Sequence, residues 1–152
     1  MTLLDAKSPD FVRERRRRII ISSVIVAVLI LGALVWEFRY WPQEKVVDNF
    51  LSALQKQDYE RAYGIWMNDP AWKQHANKYA NYPYSDFYRD WGPGGEWGLI
   101  KTHDVDCALG TKEGTGVIVA ATVNGRTEHP FFFVNKADKT LSFSPAEIRC
   151  GS

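Results

Sequence analysis

Residues Ile19 to Trp36, IIISSVIVAVLILGALVW, are eighteen consecutive residues without a charge, and they follow directly on FVRERRRR at residues 11–18. Wound as an α-helix, the block is roughly 27 Å long, close to the hydrocarbon thickness of a bilayer. So much apolar surface in one segment must be buried in lipid or in a large core, and a chain of 152 residues has room for only one modest domain. The block is therefore read as a transmembrane helix. Ser22 and Ser23 fit that reading, because a helical hydroxyl can bond back to a carbonyl one turn earlier.

The flanks orient the segment. Arg13 and Arg15–Arg18 precede it, whereas only Arg39 and Lys45 follow soon after; by the positive-inside rule the N-terminus is cytoplasmic. At the far end WEFRYW (residues 36–41) sets aromatic rings beside the first charges, as an interfacial belt does. A cleaved signal peptide is the rival reading, but it needs a shorter apolar region and a small-x-small site; two positions before Ala33 stands Leu31. No cysteine precedes Cys107, which removes a lipoprotein anchor. The expected organisation is a basic cytoplasmic tail at 1–18, a membrane helix at 19–36, an interfacial linker at 37–42 and an extracytoplasmic domain at 43–150, periplasmic if the cell is bacterial and the membrane its inner one.

Charge and composition narrow what that domain can be. Residues 1–36 carry six basic and three acidic groups, and residues 37–152 thirteen basic and fifteen acidic. The exported part thus has no basic excess with which to hold nucleic acid. Its aromatic content, 14% over the chain, is that of a packed core and not of a disordered tail. In an oxidising compartment Cys107 and Cys150 become a natural pair, closing a loop of 44 residues; two free thiols are the alternative, since spacing alone does not give distance.

Helices come first in the domain. Pro42 suits a first helical position, and Val46, Val47, Phe50, Leu51 and Leu54 then share one buried face. Asp58 is placed to cap a second helix carrying Tyr59, Ala62, Tyr63 and Trp66. Asp69–Pro70 repeats the signal for a third, with Trp72, Ala76 and Tyr79 on a stripe and His75 beside it; Ser85 is a candidate cap for a short turn bearing Phe87, Tyr88 and Trp91. From Leu99 the period becomes two. Leu99, His103, Val105, Cys107 and Leu109 alternate with Ile100, Thr102, Asp104, Asp106 and Ala108 as a first strand. Val117–Val123 is a second, Asn124–Gly125 a two-residue hairpin signal, Arg126–Val134 a third strand with an edge or bulge at Pro130, and Thr140–Ser144 a short fourth. Helices followed by a meander make an α+β fold: a single transmembrane helix, then helices packed on a curved four-stranded antiparallel sheet.

Within this order VVDNFLSALQKQDYERAYGIW, Val46 to Trp66, resembles the opening of nuclear transport factor 2-like domains, in which an apolar helix, a polar turn and a helix with Ala-Tyr precede a curved sheet. Over residues 98–146 the agreement is in the order of elements alone. The resemblance implies a membrane-anchored, extracytoplasmic version of that domain, from a family that hosts isomerases, dehydratases, carriers and structural modules, so the fold does not name a function. TGVIVAATVNGRTEHPFFFV is also compatible with cytochrome oxidase assembly factors, which place a small α+β domain after one membrane span.

The stretch DWGPGGEWG (residues 90–98) poses the choice between a phosphate cradle and a corner. A dinucleotide loop needs G-x-G-x-x-G between a strand and a helix. Here Gly92 and Gly94 begin the pattern, Trp97 stands where the third glycine belongs, Gly98 comes one position late, and a helix precedes while a strand follows. Glycine and proline serve instead to turn the chain from helix to sheet, with Trp91 and Trp97 packing at the corner.

Acid–base chemistry would have to come from histidine. His75 and His103 are both expected to face the interior of a cone-shaped domain, where one of them, with Tyr79 or Asp86, could serve an isomerase or dehydratase as general base; the alternative is a hydrogen-bonded structural histidine. His129 precedes Pro130 and has no evident partner in the sequence. His103, Asp104 and Asp106 suggest a metal cluster, but strand alternation sets His103 opposite both carboxylates. Trp66, Trp72, Tyr79, Trp91 and Trp97 either line a ligand cavity or fill a core. The candidate pocket is therefore Trp66, Trp72, His75, Tyr79, Trp91, Trp97 and His103, without cofactor, metal or catalytic assignment. The expected role is a binding or scaffold module whose partner is another envelope or membrane protein, or a second copy of the chain. The alternatives are a membrane-tethered lyase or isomerase and an assembly factor for a respiratory complex.

Overall fold

The computed structural model describes residues 11–151, so residues 1–10 of the expected cytoplasmic tail lie outside the described residues. The chain divides into two compact units, Met1–Arg39 and Tyr40–Ser152. In the first, helix α1 spans Phe11–Glu37, is long and apolar enough to cross a membrane, and buries none of its residues. It starts well before Ile19, taking in the arginine run. Arginine is a good helix former, and a Glu14–Arg18 ion pair at 3.0 Å, one turn apart, supports the extension. Ser22 Oγ donates to the Arg18 carbonyl at 2.8 Å, the expected back-bond. At the other end Arg39 donates to the Trp36 carbonyl at 2.9 Å and lies over its ring at 4.1 Å.

The residues expected as the interfacial linker, 37–42, are helical throughout. A 3-10 turn, Phe38–Tyr40, gives way at once to α2, Trp41–Gln55, with Pro42 in the first turn where a missing amide costs nothing. Helix α2 buries Val47, Phe50, Leu51 and Leu54, and Val46 is half-buried. Asp58 caps α3, Tyr59–Trp66, by accepting from the Arg61 amide at 3.1 Å. The third helix differs from expectation. Trp72–Tyr79 is a 3-10 stretch broken at His75 (φ −118°, ψ 24°), and none of it is fully buried. Tight 3-10 geometry rarely persists for two turns, and here Asp69 draws the segment around itself instead of releasing it as a regular helix. Helix α4, Tyr84–Trp91, follows Pro83, so Ser85 lies inside its first turn and is not the cap.

The corner forms between α4 and the sheet. Gly92, Gly95 and Gly98 donate to the carbonyls of Tyr88, Gly92 and Gly95 at 2.8, 2.9 and 3.1 Å, so these amides are spent on the chain itself. A side chain on Gly95 would run into the Asp90 carbonyl, and Gly98 has a φ of 61°.

Strands β1 (His103–Gly110), β2 (Gly116–Val123), β3 (Phe131–Asn135) and β4 (Leu141–Phe143) form an antiparallel meander in that order. Two details correct the simple alternation. First, the ladder slips between Val105 and Cys107. His103 and Val105 stand opposite Val123 and Ala121, both core residues, but Cys107 and Leu109 stand opposite Ala120 and Ile118, and Ala108 is the residue facing Val119. The extra residue, Asp106, moves Cys107 and Leu109 to the outer face and leaves Leu109 exposed. Second, Asn124 and Gly125 adopt positive φ (55° and 64°) and close a turn through Arg126 N–H to the Val123 carbonyl at 3.1 Å, yet β3 begins only at Phe131. Residues 126–129, Arg-Thr-Glu-His, offer nothing apolar to pair, and Pro130 has no amide to donate.

The core lies between α2, α3 and α4 and the inner face of the sheet. Phe50 is its centre, with ring centroids of Trp66, Phe87, Trp91 and Phe132 at 5.2, 6.1, 5.1 and 5.6 Å. On the outer face Ile118 and Ala120 are also buried. Ser144 N–H donates to the Phe131 carbonyl at 3.0 Å, and Cys150 is bonded to Cys107, so the C-terminal tail leads from the β4 side back to β1 on that face.

Candidate binding groove and histidine pairs

An open groove of about 710 Å³ lies on the helical side, walled by Val46 and Asn49 of α2, Glu60, Arg61 and Ile65 of α3, and the segment from Asn68 to Gln74. Its depth follows from Gly64: a Cβ there would sit 3.3 Å from the Asp69 carbonyl and 3.5 Å from Trp72 Cδ1, so glycine lets the segment pass close over α3. Trp72 forms one wall. Its indole nitrogen donates to the Glu60 carbonyl at 3.1 Å, it stacks on Tyr84 at 5.0 Å, and it meets Tyr63 edge-on at 4.8 Å. Lys73 and Glu60 pair across the rim at 2.6 Å. The lining mixes charged, amide and apolar groups, which suits a polar partner with an apolar contact point.

The seven residues expected to share a pocket do not converge. Trp66, Trp91 and Trp97 belong to the core, the last two also edging a shallow hollow of about 350 Å³ with His129 and Phe143. Trp72 lines the groove. His75 is exposed, contrary to an inward-facing position, because the 3-10 stretch turns it outward. Its Nδ1 is 2.7 Å from Asp69 Oδ2, which also accepts from the Tyr79 hydroxyl at 2.7 Å, while Asp69 Oδ1 accepts from the Ala71 amide at 2.9 Å. These bonds, that from Tyr79 foremost and then that with His75, hold the Asp69 carboxyl below the usual carboxylate range. Burial first, and the adjoining carboxylate second, push the Tyr79 hydroxyl up to about 12.

His103 does face inward. Its Nε2 lies 3.3 Å from Asp48 Oδ1 and 3.4 Å from Ser52 Oγ, joining β1 to α2, and its Nδ1 is buried without a hydrogen-bond partner among the described residues. Because Asp48 and Ser52 meet the same ring nitrogen, the trio cannot relay a proton from serine through the imidazole to the carboxylate. The bond from Lys45, and to a lesser degree that from His103, lowers the pKa of Asp48 against the opposing effect of burial.

His129, for which the sequence offered no partner, meets two side chains, and its Nδ1 also lies 3.3 Å from the Ala121 carbonyl. Its Nδ1 is 3.1 Å from Asp106 Oδ2 and 3.2 Å from Thr122 Oγ1, and Thr122 also reaches both Asp106 oxygens at 3.0 Å. The bulge brings this about by turning Asp106 toward the loop after β2. All three histidines of the chain thus meet an aspartate, and each pair ties together segments remote or differently folded. His103 and Asp106 meet separate partners, and no group of three metal-ligating side chains gathers among the described residues.

The residues sequence reasoning missed are Asp69, Asp48 and Asn124. Asn124 Oδ1 accepts from the Lys101 and Thr102 amides at 2.7 and 3.3 Å, and its Nδ2 donates to the Leu99 carbonyl at 3.0 Å. The Asn-Gly signal marked the turn but carried no trace of this second duty. No family model matches this sequence, and no curated protein or solved structure matches it.

Proposed function

We propose that this chain is a single-pass membrane protein whose α+β domain, held outside the cytoplasm, is a non-catalytic binding or scaffold module. The observation that carries the reading is α1, a helix of 27 residues with no buried side chain, in which the uncharged stretch Ile19–Trp36 follows an arginine run. Surface of that kind is stable in lipid and costly in water. The arginine asymmetry favours an N-terminus in the cytoplasm of a plasma or inner membrane, and the Cys107–Cys150 bond suits an exported domain. The likeness of Val46–Trp66 to nuclear transport factor 2-like domains belongs to the same proposal. Within the domain the histidines are engaged in holding elements together, and the open groove between α2, α3 and the Asn68–Gln74 segment offers a surface for another envelope or membrane protein, or for a second copy of the chain.

One observation favours a lyase or isomerase instead: Asp69 holds His75 through Nδ1, which leaves Nε2 directed away from the carboxylate as a base. Two measurements decide. A reporter fused after Ser152 should behave as extracytoplasmic, and a cytosolic signal would overturn the anchor reading. Full-length protein purified in mild detergent should keep its binding partner when His75 and His103 are both changed to Ala; loss of complex formation in folded double variant would favour the histidine chemistry. Co-purification of respiratory subunits would identify the assembly-factor alternative.

A further inference from the structure

The arginines at the head of α1 are helical, which fixes where their charges point. Successive residues of an α-helix are rotated by about 100°, so Arg15, Arg16, Arg17 and Arg18 face four different quarters within little more than one turn. They form a collar and not a stripe. Among the described residues only Arg18 of the four is held by a carboxylate, that of Glu14 at 3.0 Å. The collar abuts the uncharged block at Ile19, and Trp36, carrying Arg39 over its ring at 4.1 Å, lies roughly 27 Å further along the helix.

The shape of the charge selects its partner. A nucleic acid or an acidic protein approaches from one side and is read by residues on one face of a helix; charges on all sides can be satisfied together only by a ligand that surrounds the helix. The headgroup layer of a membrane does so. Guanidinium binds phosphate through two parallel hydrogen bonds, which an ammonium cannot do, and basic residues next to a membrane span attract anionic lipid.

We propose that Arg15–Arg18 form a binding collar for the phosphates of anionic phospholipids, which the protein retains as a ring around the cytoplasmic end of α1. The proposal rests on the membrane-spanning reading of α1. It adds that the run does more than orient the chain: it selects lipid.

The full-length chain is reconstituted into nanodiscs of zwitterionic phosphatidylcholine with one-fifth anionic phosphatidylglycerol, and the lipids retained after mild detergent release are counted by native mass spectrometry. Wild-type protein should keep phosphatidylglycerol in preference to phosphatidylcholine. The quadruple variant R15Q/R16Q/R17Q/R18Q should keep about tenfold less, with helix content unchanged by circular dichroism. The quadruple Arg→Lys variant, which conserves charge, should fall between the two. Both leaflets have the same composition, so a change of orientation does not alter the readout. Insertion without preference for the anionic lipid, or equal retention by the Gln variant, overturns the collar and leaves the anchor intact; failure of the wild-type chain to insert overturns both.

Discussion

Cys107 stands opposite Ala120 in the β1–β2 ladder, on the face turned away from the helices, although Val105, two residues earlier, faces the core. Regular alternation would give both the same face. The bulge at Asp106 is what carries the thiol to the side where Cys150 can reach it, with the two Cα atoms 5.7 Å apart. Deleting Asp106 should return Cys107 to the core side, and alkylation followed by intact mass should then find two free thiols; retention of the bond would refute the link between bulge and bridge. Cys150→Ser should leave the sheet intact but lower unfolding free energy by up to ~4 kcal/mol, the loop-entropy figure for this separation, read from urea denaturation.

Asp69 organises the residues after α3 through the Ala71 amide, the Tyr79 hydroxyl and His75. Asp69→Ala should reduce hydrogen-exchange protection of the 72–79 amides by about tenfold while the core of α2 exchanges as before. The pH dependence has two signs. Asp69 has a depressed pKa, so its contribution is present above the ordinary value of 3.8 and fades as pH falls through the lower folded value. Tyr79 has a raised one, so its contribution is complete below 10 and is lost as pH climbs through about 12. Ultraviolet titration should show a tyrosine ionising near pH 12 that is missing in Tyr79→Phe and shifted downward in Asp69→Ala; an unchanged curve in both would exclude the pairing.

Asn124 has a positive φ and also holds residues 99–102 through its amide side chain. The two roles separate by substitution. Asn124→Gly keeps the backbone conformation and loses the side-chain bonds, at about 1–3 kcal/mol; Asn124→Ala should cost roughly 1 kcal/mol more, because a Cβ is unfavourable at this φ. If Gly restored wild-type stability in chemical denaturation, the amide bonds would carry no weight.

Much of the architecture could be read from local pattern. The apolar block, the buried face of α2, the Asp58 cap, the α4 corner and the four-stranded meander each rest on residues within a few positions of one another. The candidate pocket was less legible: Trp66, Trp91 and Trp97 lie in the core, Trp72 parts from them to wall the groove, and His75 turns outward. Helical periodicity assumed a regular third helix there. Asp69, gripping residues two, six and ten positions ahead, made a tighter and broken one.

By itself the sequence determined the membrane-length helix, the polarity of its ends and the alternation that divides most of the sheet into an inner and an outer face, because hydrophobic transfer and backbone period act on neighbouring residues. Tertiary structure alone decided which face Cys107 occupies, which aspartate each histidine meets and where a groove opens. Those outcomes turn on a one-residue slip in a ladder and on contacts between segments up to 55 positions apart, and no local pattern records them.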